Sequence, residues 1–226
     1  MLALGGVALL LGRYLTLFAL GDEVRMFKDI GVTTILLIGL LLVVFSATST
    51  IYDEIENKTI LNVLSRPVTR SEVLLGKFLG LIFAVLLAFA VMLILFLIAL
   101  WWLLQYEYNL SDKNQPFLHP EVFKAVYLCY LQVMILGAFS TVLSIRLGLL
   151  PNMAVCGLIF MAGHISDYVF SVFRDPITHT MHPIAAVFYV AIPNLEHFNV
   201  SSALITGLSI PGGYITLASF YTLVYL

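Results

Sequence analysis

Two long apolar runs, residues 30–50 and 78–104, carry no charged side chain and enclose a polar segment, 52–77. Each run is long enough to cross a bilayer as a helix, which takes about 20 residues. Two further runs of similar length follow. Residues 122–145 are broken by Lys124, Gln132 and Ser140, and residues 149–173 by Asn152, His164 and Asp167. In hydrocarbon every backbone N–H needs a partner within the protein, so these runs predict helices. Shorter apolar stretches stand at the ends. Residues 2–20 contain Arg13, and residues 211–226 are apolar from Tyr214 onward. The pattern therefore predicts an all-α, polytopic transmembrane helical bundle of about six spans, the first and last incomplete, in a single domain over residues 1–226. Neither end shows the polar or basic flank that usually sets the depth of a terminal span. The chain is thus expected to be a piece of a six-span protein, and a mature product with an intact mass of 25.1 kDa would overturn that expectation.

The connections differ in kind. Residues 21–29 are short and charged, 105–121 are polar, and 146–150 are very short. The stretch 183–193 is apolar for only about 10 residues, too few to span, and suits a re-entrant or interfacial helix before the last span. Trp101, Trp102, Tyr106 and Tyr108 cluster where the third span ends and predict an aromatic belt at one membrane face. Gly31 with Gly39, and Gly76 with Gly80, predict close helix packing.

Composition agrees with the pattern. The chain is 61% hydrophobic and 11% charged, where soluble domains carry about 25% charged residues. A chain of 226 residues cannot bury that much apolar surface in its own interior, so the bilayer is its solvent. A net charge of −2 gives no sign of nucleic-acid binding. Cys129 and Cys156 both lie in apolar runs and read as buried free thiols. No basic residue precedes the first apolar stretch, so it does not read as a cleavable signal peptide.

The segment 52–77 holds four of the eleven Lys and Arg and four of the thirteen Asp and Glu. Within 53–64, apolar Ile55, Ile60, Leu61, Val63 and Leu64 alternate with Asp53, Glu54, Glu56, Asn57, Lys58 and Asn62. This is a loosely amphipathic helix, with acids at its start suited to the helix dipole. Pro67 ends it. Thr69 followed by Glu72 forms a capping box that opens the next helix just before an apolar run. Lys77 reads as an interfacial anchor that snorkels. Composition alone leaves two roles open: a helix lying on the lipid surface, or a surface that docks a partner.

The residue order narrows the choice. Glu54, Glu56, Thr59, Ile60, Val63, Leu64, Ser65, Pro67, Val68, Thr69 and Arg70 are followed by Leu74, Leu75, Gly76 and Lys77. The order resembles the run E-x-E-x-x-T-I-x-x-L-L-S-x-P-V-S-R, ending in L-L-G-K, of the ABC-2 type permeases, the membrane subunits of ATP-driven transporters. Val63 replaces a Leu of the pattern and Thr69 a Ser. Pro193, Asn194, Phe198 and Asn199 before the last span are also similar to the family. Members normally begin with an interfacial helix and a complete first span and end with a basic tail, features this chain lacks.

The resemblance implies a transporter subunit, not an enzyme, that moves cargo in the export direction. Two permease subunits would pair, as a homodimer or a heterodimer, among the membrane lipids. ATP-binding cassette ATPase subunits would dock beneath them, so ATP and Mg belong to the partner and no cofactor to this chain. The helix 53–64 would be the coupling helix, with Glu54, Glu56, Thr59, Ile60, Leu64, Arg66, Pro67 and Arg70 as the ATPase-coupling residues. The resemblance also implies a multi-pass protein of the cell membrane with loop 52–77 in the cytoplasm. Positive charge by itself balances: Lys58, Arg66, Arg70, Lys77 and Arg146 on that side, and Arg25, Lys28, Lys113, Lys124 and Arg174 on the other.

The chain holds no G-x-x-x-x-G-K-[ST], G-x-S-x-G or H-E-x-x-H. The main alternative function is a membrane-embedded enzyme or metal-handling protein. His164 and Asp167 stand three apart on one helical face, and His179 and His182 have the same spacing. Ionisable groups near a span are candidates for substrate contact, metal binding or proton relay. A passive channel is disfavoured because the clean spans lack pore-lining charges.

Overall fold

The long apolar runs fold as helices, as the bilayer requires. In the computed structural model, which describes residues 2–16, 23–58, 69–107, 120–172, 192–200 and 209–226, these are α1 (Leu2–Thr16), α2 (Glu23–Glu56), α3 (Arg70–Glu107), α4 (Pro120–Leu143), α5 (Leu149–Val172) and α6 (Gly212–Tyr225). A 3-10 turn, Glu196–Phe198, lies in the connector before α6. Among the described residues no strand occurs, so the bundle is all-α. Among the described residues four helices, α2 to α5, are long and apolar enough to cross a membrane. As described, α1 and α6 have 15 and 14 residues, short of the roughly 20 that a span takes. The stretch expected to be re-entrant, 183–193, lies almost wholly outside the described residues.

Helix α4 is the axis of the bundle. Two-thirds of its span (67%) is buried, against 33% for α3, and it packs on α2, α3, α5 and α6. Helix α3 instead turns Leu79, Phe83, Leu87, Ile94 and Ile98 outward. A bare apolar face of that extent has its natural solvent in lipid tails. Trp101 and Trp102 near its end are also exposed, as a belt position requires.

Helices α2 and α3 mesh antiparallel at two notches. A Cβ on Gly31 would lie 2.1 Å from the Phe96 ring, and one on Gly39 would lie 2.4 Å from the Phe89 ring. The phenyl rings therefore occupy the space a side chain would take, the close approach for which membrane helices select small residues. Phe27 stacks on Phe96 at 5.8 Å between centroids, and Tyr130 of α4 meets Phe89 edge-on at 5.6 Å. Gly76 and Gly80, read from sequence as a packing pair, have no atom within 4 Å of a built Cβ among the described residues. They face outward because α3 presents its other side to α2. Cys129 and Cys156 are buried free thiols.

The connector ahead of α6 is tied down from several sides. Leu195 N–H donates to the Gly163 carbonyl (3.0 Å), and Asn194 N–H donates to the Tyr221 hydroxyl (2.8 Å). Asn194 Oδ1 accepts from Glu196 N–H (3.1 Å) and so opens the 3-10 turn. Glu121 and Lys124, one turn apart on α4, hold the N–H and the carbonyl of Ile210 at 2.8 and 2.7 Å. These bonds satisfy irregular backbone at an end of the bundle, where no helix ladder does so.

The notches generate the first prediction. Gly31→Ala drives a methyl into the Phe96 ring and is expected to lower stability by about 1–3 kcal/mol, the usual cost of overpacking. Phe96→Leu in the same chain should recover part of that loss. A double-mutant cycle on thermal unfolding in detergent, showing additive effects, would refute the notch.

Candidate functional site

The segment singled out by sequence sits where α2 ends and α3 begins. Helix α2 has 34 residues and α3 has 38, about 51 and 57 Å of helix at 1.5 Å per residue. The hydrocarbon core is about 30 Å thick, so the ends of both rods reach past it or tilt within it. Sequence reading placed a new helix from Asp53, with its acids in the first turn. The structure corrects this: Asp53, Glu54 and Glu56 lie in the last turn of α2, which contains no basic residue. The span ladder continues because nothing between Thr50 and Glu56 interrupts it. The helix then closes at Asn57, whose N–H and Nδ2 both donate to the Asp53 carbonyl (2.9 and 2.7 Å). Lys58 follows with φ 57°, in the left-handed region, which costs a non-glycine residue about 1–2 kcal/mol. Thr59, Ile60, Leu64, Arg66 and Pro67 lie outside the described residues. Arg70 opens α3.

Carboxylates at a helix C-terminus face the negative end of its dipole, an unfavourable placement. Lys77 of α3 offsets it. Its ammonium donates to Glu54 Oε2 in an ion pair and to the Thr50 carbonyl at 2.6 Å. Lys77, 23 residues along the chain from Glu54, thereby clamps α3 to the last turns of α2, a role beyond that of an interfacial anchor. The capping box forms as predicted: Thr69 N–H donates to Glu72 Oε2 (2.8 Å) and Glu72 N–H to Thr69 Oγ1 (3.3 Å). Glu56, unlike Glu54, stands exposed.

A second clamp lies one turn deeper. Asn152 of α5 is fully buried, and its Nδ2 lies 2.9 Å from Thr48 Oγ1, 2.9 Å from Ser140 Oγ and 3.1 Å from Ser144 Oγ. Thr48 donates its own hydroxyl to the Val44 carbonyl, and Ser144 donates to the Ser140 carbonyl. Both hydroxyl oxygens are thus left as acceptors for the amide. The knot joins α2, α4 and α5 just above the tight turn 144–148. Gly148 in that turn leaves room for the Tyr52 ring, which a Cβ there would meet at 3.4 Å. Both inter-helix connections at this end of the bundle are therefore linked to α2.

The residues of the alternative reading are not brought together among the described residues. His164 lies on α5, half-buried. Its Nδ1 is 3.0 Å from the Phe160 carbonyl and its Nε2 is 3.3 Å from Gln132 Nε2. A carbonyl only accepts, so Nδ1 carries the proton and Nε2 takes a hydrogen bond from the amide. The backbone of Asp167 is in α5, its side chain is not among those described, and His179 and His182 lie outside the described residues. Among the described residues, no three His, Cys, Asp or Glu gather to hold a metal ion.

The sequence profile of the ABC-2 family transporter proteins matches residues 7–205. The chain belongs to the ABC-2 transporter family. No curated protein and no solved structure matches it. The chain is thus a membrane protein of the permease kind, the membrane subunit of an ABC transporter.

Sequence reasoning missed three features of this permease: the Lys77 clamp, the Asn152 knot and the Gln132–His164 pair. Each joins residues far apart in sequence, and a polar residue at a buried helical position was the one available signal. The Glu54 side chain is 37% exposed, so solvent screening limits the ion pair to about 1 kcal/mol. With the Thr50 bond included, Lys77→Met is expected to cost about 1–2 kcal/mol. The exchange Glu54→Lys with Lys77→Glu should restore the pair but not the Thr50 bond, giving partial rescue in unfolding measurements. Asn152→Leu keeps the branching of the side chain and removes the bonds. It is expected to cost about 1–3 kcal/mol, and an unchanged unfolding midpoint would show that the knot does not hold the helices.

Proposed function

We propose that this permease moves cargo out of the cell, driven by ATP hydrolysis in a separate ATP-binding cassette subunit that docks where α2 meets α3. The observation that carries the reading is the Lys77 clamp. A push on the segment between the helices reaches two membrane-crossing rods at once, because Lys77 holds α3 to Thr50 and Glu54 of α2. The capping box at Thr69 and Glu72 fixes the start of α3 at one end of that segment. The segment 52–77 faces the cytoplasm in this reading, and the exposed Glu56 meets a basic residue of the ATPase. Glu54 holds α3 in place, and Thr59, Ile60, Leu64, Arg66, Pro67 and Arg70 make up the rest of the docking lever. A second permease subunit, identical or related, completes the translocation path. ATP and Mg are bound by the partner.

The two carboxylates then have separable roles. Glu56→Lys in the natural transporter is expected to reduce transport-coupled ATP hydrolysis at least tenfold while membrane insertion and thermal stability stay unchanged, because Glu56 is exposed. Full coupling in that variant would sink the docking assignment. A variant that loses coupling and stability together would instead mark Glu56 as a structural residue.

A further inference from the structure

At the end of the bundle remote from the clamp lies a cavity of about 240 Å³ between α2, α4, α5 and the connector. Its walls are apolar at Leu36, Phe160, Phe198 and Val200 and polar at Gln132 and His164. Among the described residues that line it, none is charged. Leu37 and Thr33 of α2, both exposed, also line it, so the cavity opens on the outward flank of that helix.

Gln132 is the feature that needs a reason. It is 1% exposed, in the middle of the most buried helix of the bundle. A buried amide is costly unless its hydrogen-bonding capacity is used. One N–H goes to His164 Nε2. The other N–H and the carbonyl have no partner among the described residues. Together they present one donor and one acceptor, the complement of a hydroxyl, which both accepts and donates. An ionic head would meet no counter-charge among the described lining residues, at a large desolvation cost. At about 30 Å³ per water, the volume corresponds to about eight waters. That suits a small head and the first part of a chain, with the remainder left in the bilayer through the mouth at Leu37.

We propose that this cavity binds the uncharged, hydroxyl-bearing head of a membrane amphiphile, a lipid alcohol that enters sideways from the bilayer. The hydroxyl donates to Gln132 Oε1 and accepts from Gln132 Nε2. His164 positions the amide by taking its other hydrogen, and the Phe160 carbonyl fixes the imidazole in the tautomer that can do so. Binding is read without ATP, so it stands or falls separately from the docking of an ATPase.

The test uses the full membrane subunit in phosphatidylcholine nanodiscs with a photoactivatable dioleoylglycerol. Labelling should saturate, map to peptides of α2, α4 or α5, and be displaced by unlabelled dioleoylglycerol but not by dioleoylphosphatidylglycerol. Gln132→Leu is expected to reduce saturable labelling at least tenfold. Leu37→Trp, at an exposed position that leaves the core untouched, should obstruct the mouth and do the same, which keeps the test decisive if Gln132→Leu unfolds. Non-saturating label, equal displacement by the anionic lipid, or unchanged labelling in Leu37→Trp would each overturn the site.

Discussion

The amide of Asn152, buried among the hydroxyls of Thr48, Ser140 and Ser144, sets the frame on which the other contacts rest. Lipid tails are as apolar as leucine, so burying apolar surface does little to hold membrane helices together. What holds them is shape and the demand that polar groups be satisfied inside the protein. Asn152 meets that demand only when α2, α4 and α5 stand in one arrangement. Once they do, α4 can act as the axis, the turn 144–148 lies against Tyr52, and α2 offers its glycine notches to α3.

The two ends of the bundle are built differently. The end with the 52–77 connection has an ion pair that joins two helices, a capped helix start and a buried polar knot, whereas the Lys124–Glu121 pair at the other end lies within one helix. The opposite end has a connector held by Glu121, Lys124, Tyr221 and Gly163, with a partly polar cavity beneath it. A transporter subunit needs a rigid joint where force enters and a different kind of surface where it meets what it carries.

How much of this was legible in the sequence depends on the range of each interaction. The spans were legible because length and hydropathy suffice in hydrocarbon. The Thr69–Glu72 cap was legible because a capping box is written within four residues. The notches at Gly31 and Gly39 were foreseen in kind, although Gly76 and Gly80, alike in composition, turned out to face outward: a small residue does not say which side of its helix is covered. The start of a new helix at Asp53 was misplaced, since acids before an amphipathic stretch look like a helix beginning, and the continuity of the α2 ladder through Glu56 overrode that local signal. The bonds between Lys77 and Glu54, Asn152 and Thr48, and Gln132 and His164 were not legible at all. Each depends on the register between helices, which periodicity within one helix does not contain.

The two notches on α2 restrict how α3 can move. Phe96 fills the gap at Gly31 and Phe89 the gap at Gly39, like two teeth of one rack engaged at once. Sliding α3 along α2 would lift both rings out of their slots together, whereas rolling or tilting about the line between them keeps both engaged. The mesh removes one mechanical degree of freedom from the pair and leaves the angular ones. Force applied at the clamped end therefore emerges at the tryptophan end of α3 as a swing, and not as a piston stroke.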